Sequence, residues 1–204
     1  MTAVGPLPIV YLPGASGRGS VWEAVAQRLA RRRVPILVDY PGLSDLPLEA
    51  GIDSVSALSR WLLGRLPERF DLVALSMGSA VALRIALEQP ERVRKMILVT
   101  TAGGVDARRF GGVDWRPSFV ERRPAAPRWF VDDAEDLTSR LGDLHAPVQL
   151  VFGERDLIAP PAVGRFLLEH LPGARLEVVE GATHDLEAEE PDLLASLIEA
   201  HLRR

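Results

Sequence analysis

The 204 residues suit one domain, and 47% hydrophobic with 25% charged residues is a globular mix that excludes a disordered chain. A formal net charge of −4 argues against a nucleic-acid binder, and the absence of cysteine removes disulfides, thiolate zinc sites and a cysteine nucleophile. No run approaches the ~20 apolar residues that span a bilayer, and Met1 to Pro8 lacks the basic start and apolar stretch of a secretory signal. The expectation is a cytoplasmic monomer or small homo-oligomer without a membrane span or nucleic-acid partner.

Short apolar runs alternate with segments of helical period. Ile9 to Leu12 reads as the first strand, closed by Pro13-Gly14, and Val21 to Arg32 follows as a helix with Val21, Trp22, Val25 and Leu29 on one face. Val34 to Asp39 is the second strand, ended by Tyr40-Pro41-Gly42. Asp53 or Ser54 is placed to cap a helix through about Leu66, with Val55, Leu58, Trp61, Leu62 and Leu66 inward. Phe70 to Leu75 is the third strand, Met77 to Glu88 a helix stopped near Pro90, and Met96 to Thr100 the fourth strand. From Gly103 to Asp143 the rhythm breaks into a Gly-, Pro-, Arg- and aromatic-rich segment. It resumes with a strand at Val148 to Phe152, a helix at Ala162 to Leu171, a strand at Leu176 to Val179 and a helix at Pro191 to Leu202.

Strands alternating with helices imply right-handed crossovers and a mostly parallel sheet covered on both faces. Continuous apolar strands, rather than alternating ones, agree with burial on both sides. Ligands of such sheets bind beyond the carboxyl ends of the strands. Three of the six positions just past a strand hold Ser76, Asp156 and His184, in that chain order.

Ser76 joins a strand directly to a helix, the context a nucleophile elbow requires, and its neighbours at two residues on either side are the small Ala74 and Gly78. Taken alone it is equally a helix-capping serine. His184 follows the last strand, where an imbalance-free neutral imidazole can serve as general base for a weakly acidic hydroxyl. His145, His170 and His201 read as surface or capping residues. Asp156, in the turn Gly153-Glu154-Arg155-Asp156, can accept from the histidine Nδ1–H or, alternatively, cap the next helix. Glu154 and Asp185 compete for the first role, one early in its turn and the other aimed away by its neighbour relation to His184.

With these residues in place the chain resembles the α/β-hydrolase superfamily over essentially its whole length. Leu12-Pro13-Gly14 followed by Trp22 resembles that family's first loop and helix, Asp39-Tyr40-Pro41-Gly42 its second-strand turn, and Gly181-Ala182-Thr183-His184 its histidine loop. The departures are Ala74 at the first elbow glycine, Leu75 before the serine, and Pro13 where a histidine often precedes the first-loop glycine. The resemblance implies an oxyanion hole from the backbone N–H groups of Met77 and Ala15. Because the sequence starts at the strand feeding the first loop, the expected fold is a single compact α/β domain, residues 1–204, with six parallel strands.

The resemblance also places a short lid at about residues 103–143. Its Phe110, Trp115, Phe119, Trp129 and Phe130 are candidates for an apolar roof over an acyl group, with Trp115, Phe119 and Trp129 as substrate contacts. Arg108, Arg109, Arg116, Arg122, Arg123 and Arg128 form either a solvated basic face or a reader of a substrate anion, and Arg18 in the first loop is a separate candidate for that role. The implied activity is ester or thioester cleavage of a small acyl substrate through an acyl-enzyme, needing no metal or organic cofactor. A carbon–carbon bond hydrolase or lyase on the same triad and a non-catalytic binding protein are the alternatives. A nucleotide site at Gly14-Ala15-Ser16-Gly17-Arg18-Gly19 lacks the spacing of either phosphate-binding fingerprint and a nearby lysine.

Overall fold

The structure, a computed structural model, describes residues 6–102, 104–133 and 135–204. Residues 1–5 of the amino-terminal stretch, and Gly103, where the expected lid opens, lie outside the described residues. Six strands form one sheet: β1 (Ile9–Leu12), β2 (Pro35–Leu37), β3 (Phe70–Leu75), β4 (Val93–Val99), β5 (Val148–Gly153) and β6 (Arg175–Val179). Their order is β2-β1-β3-β4-β5-β6 and every pairing is parallel, as expected. The chain runs outward from β1 to β2, then crosses back to β3, so the order reverses between β1 and β3. That reversal opens a crevice beyond their carboxyl ends.

Side chains along each central strand alternate between two cores. Val10, Leu12, Leu72, Ala74, Leu98, Leu150 and Phe152 face one cluster, shared with α2 (Val55–Leu63), α3 (Gly78–Glu88) and α6 (Pro161–His170). Ile9, Tyr11, Val73, Ile97, Val99 and Val151 face the other, covered by α1 (Glu23–Leu29), α7 (Leu186–Glu189) and α8 (Pro191–Arg203). Among the described residues no helix is long and apolar enough to cross a membrane.

Several boundaries differ from the sequence expectation, each for a local reason. The first helical segment is a 3₁₀ turn, Gly19–Trp22, followed by the shorter α1, and the Leu29 carbonyl accepts from both Arg32 and Arg33 to end it. Ser54 caps α2, accepting from the Ala57 N–H at 3.1 Å. β4 starts three residues early because Arg94 and Lys95 extend it: Arg94 is bound to Asp71, and Lys95 donates to the His201 carbonyl at 3.0 Å. Burial on both faces fails at the margins, since edge strands β2 and β6 are partly exposed. His201 is neither a surface nor a capping residue. It is buried, with Nε2 3.2 Å from the Pro147 carbonyl, and burial lowers its pKa.

Beyond β4 the chain forms a 3₁₀ turn (Ala107–Phe110), two short helices, α4 (Arg116–Arg122) and α5 (Arg128–Asp132), and a second 3₁₀ turn (Thr138–Asp143). Aromatic rings join α4 to α5: Phe119 meets Phe130 at 5.5 Å between centroids, and Trp115 meets them at 5.5 and 5.8 Å. Such pairs contribute beyond their buried area, which lets elements this short hold a fixed shape.

Candidate active site

β3 passes straight into Ser76, whose φ of 49° is left-handed, and α3 leaves two residues later. A serine pays strain for that conformation, of order 1–3 kcal/mol, and strain of this kind marks functional sites. Two close approaches explain the small residues around it. A Cβ on Gly78 would collide with the Pro13 carbonyl oxygen, and one on Gly14 would stand 3.3 Å from the Ser76 Cβ. The first loop is therefore pressed against the serine turn from the side of β1.

The turn after β5 and the loop after β6 are tied together by their backbones. Arg155 N–H donates to the Ala182 carbonyl at 2.8 Å, and Glu154 N–H to the Val179 carbonyl at 2.9 Å. Glu154 itself accepts from the Gly181 N–H at 2.9 Å, which occupies the first rival of Asp156 elsewhere. A Cβ on Gly153 would drive into the Thr183 and Ala182 carbonyls, so glycine there sets how closely the two loops pack. Thr183 is held in turn by Glu189, through its N–H at 2.8 Å and its hydroxyl at 2.7 Å. Those bonds hold the Glu189 carboxyl below its ordinary pKa. Asp185, the second rival, lies at the start of α7, an element the sequence periodicity was too short to show.

Between these loops the three expected side chains meet. His184 Nδ1 is 2.8 Å from Asp156 Oδ2, and His184 Nε2 is 3.0 Å from Ser76 Oγ. Asp156 is 2% exposed. Its Oδ1 accepts from the Ile158 and Ala159 N–H groups at 2.8 and 2.9 Å, leaving Oδ2 for the histidine. Asp156 thus meets the histidine through one oxygen and holds its own turn through the other; it does not cap the next helix, since α6 starts after Pro160 with no side-chain hydrogen bond at its cap. Thr101, which sequence reasoning missed, donates its hydroxyl to the Ser76 carbonyl at 3.2 Å.

Ser76 and Met77 open onto a cavity of about 250 Å³. Val55, Ala80, Val105, Trp115, Phe130 and Ile158 give it apolar walls. Of the expected substrate contacts, Trp115 lines the cavity, while Phe119, Trp129 and Arg18 are not among its lining residues, and Arg18 pairs with Asp45. Ala15 is in the first loop but also outside that lining. The lining arginines are occupied. Arg116 donates to the Val131 carbonyl at 3.0 Å and approaches Asp114, and Arg108 is bound by Asp106 at 2.8 Å. Carboxylates that the sequence reading did not consider, Asp106, Asp114, Asp133, Glu135 and Asp136, share the lining.

A buried carboxyl lies close to His184 in sequence. Glu187 is 8% exposed, and Oε2 has no hydrogen-bond partner among the described residues. Burial pushes its pKa up from 4.5 to about 7. Because the folded chain keeps this proton where the unfolded chain has released it, stability falls as pH rises from the unfolded pKa through about 7. Glu187→Gln is expected to match the parent near pH 4 and to exceed it by up to about 3 kcal/mol at pH 8. Denaturant melts at both pH values check this, and an equal offset at both would contradict it.

Residues 9–141 match the alpha/beta hydrolase family. The chain is similar to a pimeloyl-(acyl-carrier protein) methyl ester esterase of Nitrosomonas europaea, 26% identical, with 90% of each chain covered. Among solved structures it is similar to an enol-lactonase from Burkholderia xenovorans, with a TM-score of 0.81 and 22% identity over 98% of this chain and 93% of that one. A thermophilic esterase from Thermogutta terrifontis gives a TM-score of 0.80 and 20% identity, covering 98% and 90%.

Proposed function

The chain belongs to the alpha/beta hydrolase family, and from that premise we propose that it is a serine hydrolase cleaving an ester or thioester of a small, neutral acyl group through an acyl-enzyme on Ser76. The observation that carries this reading is the continuous relay Asp156–His184–Ser76 at the mouth of an apolar-walled cavity. Ester chemistry is further supported by the similar proteins named as esterases.

The Ser76 hydroxyl donates to His184 Nε2, which takes the proton as Oγ attacks the carbonyl carbon. Asp156 accepts from Nδ1–H, fixes the tautomer and stabilises the imidazolium as it forms. The negative oxygen of the tetrahedral intermediate lies against the backbone N–H groups of Met77, at the start of α3, and Ala15. His184 returns the proton to the leaving alcohol or thiol. Water then attacks the acyl-serine with His184 again as base, releasing the acid and restoring the Ser76 hydroxyl.

Neutrality of the acyl group follows from the lining. Its arginines are matched by carboxylates, Glu135 is paired with Arg84, and Asp133 and Asp136 add negative charge with no arginine of the lining in a salt bridge to them among the described residues. A panel of p-nitrophenyl esters and acyl thioesters tests the reading. Short neutral acyl groups are expected to turn over at least tenfold faster, by kcat/KM, than isosteric acyl groups ending in a carboxylate. Equal rates, or a preference for the anion, would contradict the neutral-substrate assignment, and no turnover across the panel would contradict ester cleavage.

A further inference from the structure

The lid arginines divide by what holds them. Arg108, Arg116 and Arg128 face Asp106, Asp114 and Asp132 within the same segment. Arg123, at the carboxyl end of α4, is paired with no carboxylate among the described residues. Its guanidinium leaves the lid and donates to three backbone carbonyls: Ala15 at 3.3 Å, Ser16 at 2.9 Å, and Leu43. It also lies over the Phe119 ring, 5.6 Å from the centroid, which fixes its stem against the aromatic cluster. One planar fork therefore joins the lid, the first loop and the turn after β2.

The first loop is gripped from outside at its tightest turn. Gly14 and Gly17 flank Ala15 and Ser16, and Gly17 has a φ of +69°. The turn between them is closed by the Gly17 N–H on the Gly14 carbonyl at 3.1 Å, and that carbonyl shares a peptide plane with the Ala15 N–H. Beyond Gly17 the loop is already tied, with Tyr40 N–H on the Gly17 carbonyl at 2.8 Å and Gly19 N–H on Asp39 at 2.7 Å. Before Gly14 it is tied by Trp22 Nε1–H on the Leu12 carbonyl at 2.9 Å. The stretch between those anchors carries the Ala15 N–H, and its Ala15 and Ser16 carbonyls take their donors from Arg123.

Resting on the serine-hydrolase reading above, we propose that Arg123 is a positioning residue: by gripping the Ser16 carbonyl it fixes the peptide whose Gly17 N–H holds the Gly14 carbonyl, and so sets the direction of the Ala15 N–H, which shares that carbonyl's peptide plane, toward the oxygen that becomes negative. Acting only when that charge develops, such a group affects kcat more than KM. A lysine cannot reproduce it, because one ammonium does not span three carbonyls with a planar fork.

The test compares the parent chain with Arg123→Met, Arg123→Lys and Arg123→Ala. The primary readout is the second-order rate constant for modification of Ser76 by a small fluorophosphonate, followed by mass spectrometry. This reaction builds up charge on the same oxygen and needs no known substrate. Labelling in Arg123→Met is expected to slow at least tenfold, with kcat on a short neutral p-nitrophenyl ester falling by a similar factor and KM within twofold. Guanidinium chloride at millimolar concentration should restore part of the rate to Arg123→Ala and none to the parent, a recovery that a merely structural role would not give. Absence of labelling in the parent would overturn the serine-hydrolase reading and this inference with it. Parent labelling with Arg123→Met within twofold of it, or a loss that guanidinium does not relieve, would overturn the inference alone.

Discussion

Ser76→Ala is expected to lower ester turnover by roughly 10⁴-fold or more while leaving the melting temperature within a few degrees of the parent. The size follows from what is removed. His184 and Asp156 would remain linked at 2.8 Å, but the oxygen that the imidazole activates at 3.0 Å would be gone. The stability expectation follows from the turn. Alanine must adopt the same φ of 49° that Ser76 adopts, so strain is unchanged, and the lost hydroxyl bond is one made at a cavity wall that water can reach. Activity above about one per cent of the parent would remove the serine from the mechanism.

Asp71 is the largest expected stability effect, and it lies at the opposite end of β3. Its carboxylate is fully buried, yet it accepts from Arg94 Nε at 2.8 Å, Arg94 Nη2 at 2.6 Å and Arg33 Nη1 at 3.1 Å. Arg94 also donates to the Leu202 carbonyl at 3.3 Å, so the carboxylate ties β3, β4, the segment before β2 and the end of α8. Replacing it by alanine would leave two partly buried guanidinium groups, Arg33 and Arg94, without the anion they share. Breaking one partner of such a group costs about 3–5 kcal/mol. For a chain of this length that lowers the melting temperature by roughly 10 °C. Calorimetry of Asp71→Ala checks this, and because the network is remote from Ser76, kcat of the folded variant should stay near the parent value. A melting point within 2–3 °C of the parent would contradict the buried-network account.

These two residues differ in how far the sequence exposed them. The strand-to-helix junction at Ser76 was legible because β3 is a continuous apolar run ending in small residues, and β3 and β5 lie almost where that pattern puts them. His184 and Asp156 were legible because each follows such a run. Asp71 sits inside the same apolar run, but a single charge in a strand does not reveal the arginines, 38 and 23 residues away, that neutralise it. Among the strands the edges were the least legible, since β2 is three residues long and half-exposed, and apolar patterning weakens where one side meets water. The lid was harder still. α4 and α5 are held by rings meeting across a turn rather than by a helical stripe, so no period announced them. For the same reason Arg123 could not be told from its neighbours: what separates it is a set of carbonyls some 80 and 107 residues distant.

The relay Asp156–His184–Ser76 is most directly tested by catching the intermediate it implies. The protein is mixed with a short-chain p-nitrophenyl ester, quenched in acid within the first turnover, digested and mapped by mass spectrometry. The predicted result is one acyl group, added with loss of p-nitrophenol, on the peptide containing Ser76, absent from Ser76→Ala and decaying as free acid appears. Turnover in which no acyl group is ever found on Ser76, or in which it is found on another residue, would contradict the account.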